Sequence, residues 1–145
     1  MTIATVTTDI NIGPFKIPSN GQGMIMNNYA QKENIIIDIT IPEPLMSKSL
    51  STVQWMHKNF NLSKIILCSI HQLPTKQKEI NKLISNLRNV EFHFALEGIK
   101  GKGNKFLKNI INEVKIFRNA SIIESNQTDW IELFKMMQKE RKKNI

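Results

Sequence analysis

The sequence predicts an α/β fold: a doubly wound, mostly parallel sheet of four to five strands, with helices on both faces and an amphipathic helix at the C-terminus. Short β-branched runs such as IIIDITI (35–41) and KIILCSI (64–70) alternate with segments whose apolar residues recur at helical spacing. The 145 residues amount to about one domain, large enough for one core to bury most of its apolar surface. Hydrophobic residues make up 41% of the chain, which excludes an intrinsically disordered class.

The first strand is expected within residues 10–17, made irregular by Pro14. The stretch IPSNGQGMIMNNY (17–29) leads out of it, and a helix is expected over 23–33. Residues 35–41, closed by Pro42, form the second strand. Leu50, Val53, Met56 and Phe60 then sit at helical spacing behind the serines of 47–51, which can cap a helix. Residues 64–70 read as a third strand, buried on both faces. Ile80, Leu83, Ile84 and Leu87 repeat at i, i+3, i+4, i+7 after Thr75, marking an amphipathic helix.

The alternating, aromatic-rich residues 90–96 form the fourth strand. Leu107, Ile110, Ile111, Val114 and Phe117 mark the next helix, and 121–124 a short edge strand. A last helix opens at Asp129 with Glu132 three residues on, in the manner of a capping box, and turns Trp130, Phe134 and Met137 to one face. Residues 1–124 are thus expected to make the α/β domain, and 125–145 a helix packing on it or on a partner.

Strands alternating with helices of this length imply right-handed crossovers and a flavodoxin-like arrangement. No apolar run reaches the roughly 20 residues that span a bilayer. The opening MTIATVTTDI lacks a basic segment followed by an apolar one, so the expected location is the cytoplasm and no membrane partner is expected. A single cysteine, Cys68, excludes an internal disulfide and a cysteine-based zinc site; its apolar neighbours point to a buried structural thiol. Net charge is +8 and uneven: residues 1–99 carry nine Lys/Arg against seven Asp/Glu, and 100–145 eleven against five. Such a surplus favours an anionic partner, although the Asn-, Lys- and Ile-rich composition supplies part of it.

In sheets of this kind ligands bind beyond the carboxyl ends of the strands. That rule gathers Ser19, Asn20 and Gln22 after strand one, Glu43 after strand two, Ser69, His71 and Gln72 after strand three, and Glu97 after strand four. His71 and Glu97 are the acid/base candidates: imidazole titrates near neutrality, and a carboxyl that follows an apolar strand is raised by partial burial. Ser19, Asn20, Gln22, Glu43, Ser69 and Gln72 are candidates for gripping a substrate. Five of these have a structural alternative: Ser19 or Asn20 as a helix cap, His71 as a surface loop residue, Glu97 as a cap or ion-pair partner, Glu43 as part of a rigid turn between two prolines. His93 is expected to face a helix or solvent, and His57 to be structural. The GKG of 101–103 lacks the longer phosphate-loop pattern, and three dispersed histidines offer no metal spacing, so neither a metal nor a cofactor is expected.

Over residues 13–99 the pieces IPS-x-x-Q, S-I-x-Q-L-P and H-F-A-L-E, in that order, resemble the sporadic carbohydrate cluster protein family. That resemblance implies a small bacterial protein of surface-polysaccharide or unusual-sugar biosynthesis, without a defined activity. A more distant resemblance is to the catalytic domain of serine recombinases, the resolvases. These carry a serine after strand one, a glutamine opening the first helix, and an Asp-Arg-Leu-x-Arg motif after strand three. Ser19 and Gln22 sit similarly, one residue closer together, but Gln72 and Thr75 stand where the arginines would be. No arginine precedes residue 88. Strand exchange needs guanidiniums to stabilise the transferring phosphoryl group, so this resemblance implies the fold and not the activity.

Three functions follow as expectations. The first is a sugar-pathway protein binding a phosphorylated or nucleotide-linked sugar at the strand edge. The second is a non-catalytic scaffold or regulatory subunit that docks on a partner enzyme or on itself. The third, given least weight, is a degenerate recombinase-like nucleic-acid-binding domain.

Overall fold

The computed structural model describes residues 2–8, 12, 16–43 and 49–124, together with 135, 138 and 139; of 121–124 only the backbone is described. Two compact units divide the chain, Met1–Val114 and Lys115–Ile145. In the second unit α4 runs on to its end, and Lys135, Gln138 and Lys139 are helical. The helix expected from Asp129, with its face of Trp130, Phe134 and Met137, otherwise lies outside the described residues.

The first unit holds a five-stranded sheet in the order β2-β1-β3-β4-β5. The strands are β1 (Thr2–Thr8), β2 (Ile39–Glu43), β3 (Leu62–Leu67), β4 (Glu91–Phe94) and β5 (Ile99–Gly101), all parallel except β5, which runs antiparallel to β4. The helices are α1 (Ser19–Lys32), α2 (Ser51–Phe60), α3 (Gln77–Leu87) and α4 (Asn104–Glu124). Alternation along β3 divides the core. Ile65 and Leu67 face a cluster built with Val53 of α2, Leu83 and Leu87 of α3, and Leu107, Ile111 and Val114 of α4. Ile66 and Cys68 face a smaller one with Met26, Tyr29 and Ala30 of α1. Helices therefore cover both faces, α1 on one and α2, α3 and α4 on the other, as the alternating pattern predicts.

Several elements depart from expectation. The first strand is Thr2–Thr8, not a segment of 10–17; its threonine-rich, β-branched run suits a pleated strand better than a run carrying Gly13 and Pro14. Strand two starts only at Ile39, because Asp38 opens the pairing: its carboxylate accepts from the Ile3 N–H at 2.8 Å and its own N–H reaches the Ile3 carbonyl at 2.8 Å. Ile35 and Ile37 instead pack on the α1-side cluster. The first helix begins four residues earlier than expected, at Ser19.

No serine takes the N-cap position of α2 among the described residues, and Ser47 lies outside them. Leu50 occupies the N-cap in the left-handed region (φ 57), and Glu43 supplies the acceptor. Phe60, expected on the apolar face of α2, is 54% exposed. Residues 121–124 are the end of α4 and not an edge strand; the short edge strand is β5, reached through a turn at Gly98 (φ 66).

Candidate functional site at the carboxyl edge of the sheet

Four long polar side chains fasten the loops that leave the carboxyl ends of the parallel strands. Gln22, on α1, is fully buried and turns back to the end of β1: its Oε1 accepts from the Thr8 N–H at 2.9 Å, and its Nε2 donates to the carbonyls of Thr8 and Ile17, both at 2.8 Å. Gln72, in the 3-10 turn Ile70–Gln72, does the same for β3. Its Oε1 accepts from Cys68 at 2.7 Å and Ser69 at 3.2 Å, and its Nε2 reaches the Val6 carbonyl of β1 at 3.3 Å. Glu97, past β4, accepts the Ile70 N–H at 2.6 Å and the Ser69 hydroxyl at 3.0 Å. Glu43, the last residue of β2, accepts the Val53 N–H at 2.7 Å and so caps α2. A backbone amide left unpaired inside a protein is costly, and these loops are too irregular to pair with themselves. The side chains supply the missing partners.

Ser69, His71, Gln72 and Glu97 therefore form one directly bonded group. The Ser69 hydroxyl donates to Glu97 and accepts from the His71 N–H at 3.2 Å. Glu43 joins the same edge by register, its Cα paired with Thr8, which Gln22 holds. Ser19 and Asn20 sit exposed on the first turn of α1, one turn before Gln22. Neither caps the helix through its side chain. Pro18 is the N-cap, and Asn20 Oδ1 accepts the adjacent Gly21 N–H at 3.0 Å.

Burial raises the Glu97 carboxyl above its usual range, against the opposing pull of the Ile70 N–H and the Ser69 hydroxyl. His71 is buried, with its residue 8% exposed. The thiol of Cys68, fully buried one residue beyond β3, is pushed up to about 11, first by burial and then by the nearby Glu97 charge. That thiol is a packing group and not a nucleophile. Second among the features of Glu43 is its other oxygen, Oε2, which is buried and has no hydrogen-bond partner among the described residues. Among the described residues no set of three or more His, Cys, Asp or Glu side chains gathers as a metal would require, and no helix is long and apolar enough to cross a membrane.

A second polar network was not visible in the sequence. His93, fully buried on β4, places Nδ1 2.7 Å from the Tyr29 hydroxyl and Nε2 2.5 Å from Glu91 Oε1. Its ring faces α1, as expected of a residue alternating with the core residues Phe92 and Phe94. The signal for the partner was the only tyrosine of the chain, set three residues after Met26 on α1. His57 is structural: its Nδ1 accepts the Leu62 N–H at 3.0 Å where α2 hands over to β3.

No protein-family model matches the sequence, and no curated protein matches it. The fold is similar to solved structures of recombinases. One is a crystal structure of a resolvase family site-specific recombinase from Streptococcus pneumoniae, with TM-score 0.56, 12% identity, and coverage of 97% of this chain and 99% of that one. Another is the N-terminal catalytic domain of TP901-1 integrase, with TM-score 0.52, 12% identity, and coverage of 83% and 96%. The architecture is thus a resolvase-like α/β fold. The resemblance to the carbohydrate cluster family finds no support in these comparisons.

Proposed function

We propose that this chain is a resolvase-fold domain that binds nucleic acid without strand-exchange chemistry. One observation carries the reading. On the sheet face covered by α2, α3 and the start of α4, the exposed residues include Lys58, Lys78, Lys82, Arg88, Lys105 and Lys108, against exposed Glu113 and half-buried Glu79. Six cations against two acids on one face suit a phosphate backbone. The fold likeness to a site-specific recombinase, over nearly the whole of both chains, supports the same partner class. Phosphoryl transfer is set aside because the carboxyl edge holds Gln72 and Thr75 where guanidiniums would be needed, and Gln72 is already committed to backbone groups. Fluorescence anisotropy with a labelled duplex tests this reading. Binding should weaken linearly in log K against log salt, with no strand cleavage. A chain that binds neither duplex nor single strand at about 50 mM salt, or that nicks the duplex, refutes it.

A second reading is favoured by a different observation. The three pieces that carry the carbohydrate-cluster resemblance, IPS-x-x-Q, S-I-x-Q-L-P and H-F-A-L-E, each contain a residue that fastens the carboxyl edge: Gln22, Gln72 and Glu97. In this reading the edge receives a phosphorylated or nucleotide-linked sugar, with Ser19 and Asn20 at the mouth and His71 and Glu97 as the acid/base pair. Calorimetric titration against nucleotide sugars tests it; silence across the panel, with His71→Ala without effect on the glycans of the host, would set it aside.

A further inference from the structure

On the same cationic face, Trp55 of α2 is 59% exposed and stands off the buried stripe of its helix, where Val53 packs in the core and Met56 packs against it. Its indole meets Phe60, itself 54% exposed, edge to face with centroids 6.4 Å apart. The helix carries no acidic residue; exposed Lys58 and Asn59 follow Trp55 by three and four positions, on the same side of the helix, and Asn59 Nδ2 holds the Trp55 carbonyl at 2.8 Å. Alongside lies α3, tied to α2 by Asn86 Nδ2 donating to Gln54 Oε1 at 2.7 Å and bearing exposed Lys78 and Lys82. A contiguous exposed aromatic pair, unlike a lone exposed side chain, marks a contact surface, and here the surrounding charge selects a polyanion. Within a duplex the bases are already stacked on one another and give an indole no face to meet. An unpaired strand offers free base faces and a phosphate chain together.

We infer that Trp55, braced by Phe60 and flanked by Lys58, is a base-stacking platform for single-stranded nucleic acid. The inference rests on the nucleic-acid reading above and narrows it to one form of the polymer.

The test uses the full chain carrying Trp130→Phe, so that Trp55 is the sole indole. Titration with an oligothymidylate should quench its fluorescence. Trp55→Ala should weaken single-strand binding roughly tenfold and leave duplex binding of equal length unchanged, while Trp55→Phe keeps most of the affinity. Lys58→Glu should weaken both forms and flatten the salt dependence. Single-strand binding without quenching, or of equal strength after Trp55→Ala, overturns the platform and leaves the parent reading standing. Binding of duplex alone does the same. Indifference to both forms overturns the parent reading, and retention on a neutral glucan in place of oligonucleotide assigns the indole to sugar and overturns the platform.

Discussion

The Tyr29 hydroxyl lies 2.7 Å from Nδ1 of His93, joining α1 to β4 through one buried hydrogen bond. The other ring nitrogen of His93 is held by Glu91, and Lys64 stands 4.0 Å from the same carboxylate oxygen. With Nε2–H given to Glu91, Nδ1 is the acceptor and the tyrosine the donor. Burial, reinforced by Glu33 and Glu91, raises the Tyr29 pKa, so the phenol keeps its proton. Removing the hydroxyl leaves a buried ring nitrogen without a donor. Tyr29→Phe should therefore destabilise the fold by about 1–3 kcal/mol, read from urea denaturation.

His93 also sets a pH dependence. Burial lowers its pKa in the folded protein, outweighing the bond to Glu91 that opposes the shift. A histidine depressed on folding binds more protons unfolded than folded. Its contribution is therefore fully present above the ordinary value of 6.5 and is lost as pH falls from there through the folded value. Glu97 acts with the opposite sign. Its carboxyl is raised in the fold, so its contribution is present below 4.5 and is lost as pH rises through the folded value. Melting temperature measured against pH should fall as pH drops below 6.5 in the parent protein, and His93→Gln should flatten that decline. A profile unchanged by His93→Gln would mean that other groups set it.

Gln72 satisfies two amide donors just past β3 and one carbonyl of β1. Gln72→Ala strands the Cys68 and Ser69 N–H groups inside the protein, at a cost of about 2–4 kcal/mol. Gln72→Glu keeps the acceptor but loses the donor to Val6 when ionised, and should cost less than alanine at a pH where its carboxyl is neutral and its O–H can donate. Thermal melts of both variants at pH 4 and pH 8 separate the two effects.

Cys68 should resist thiol reagents in the folded state. It is fully buried, and its pKa of about 11 leaves little thiolate at neutral pH. Modification by a chromogenic disulfide should proceed at the rate of unfolding and become fast in denaturant. Rapid labelling of the native chain would place the thiol at the surface and contradict the packing of β3.

Gly101 closes β5 against the ring of Phe106. A Cβ there would stand 2.6 Å from one ring carbon and 2.7 Å from the next, so the ring must turn away. Gly101→Ala should cost about 1–3 kcal/mol through this overpacking. Amide exchange should show the loss first in β5, whose single pairing to β4 depends on that corner.

The apolar runs of this sequence determined the class of the fold. Residues that recur at helical spacing produced α3 and the buried face of α4, and unbroken β-branched runs produced β3, because one face of a helix or both faces of a central strand must leave water whatever the loops do. The strand-end rule also drew Ser69, His71, Gln72 and Glu97 together, since a parallel sheet sends the chain out along one edge every time.

Tertiary structure decided the rest. Residues 121–124 have the composition of a strand, but the helix already running through α4 adds each residue at less cost than a new element needs to begin. The cap of α2 comes from Glu43, eight residues before Ser51, and the partner of His93 from Tyr29, sixty-four residues away. Periodicity is a local property of the chain and survives in the sequence. A hydrogen bond across a fold depends on which backbone amides the packing leaves without water, and that is fixed only when the sheet has closed.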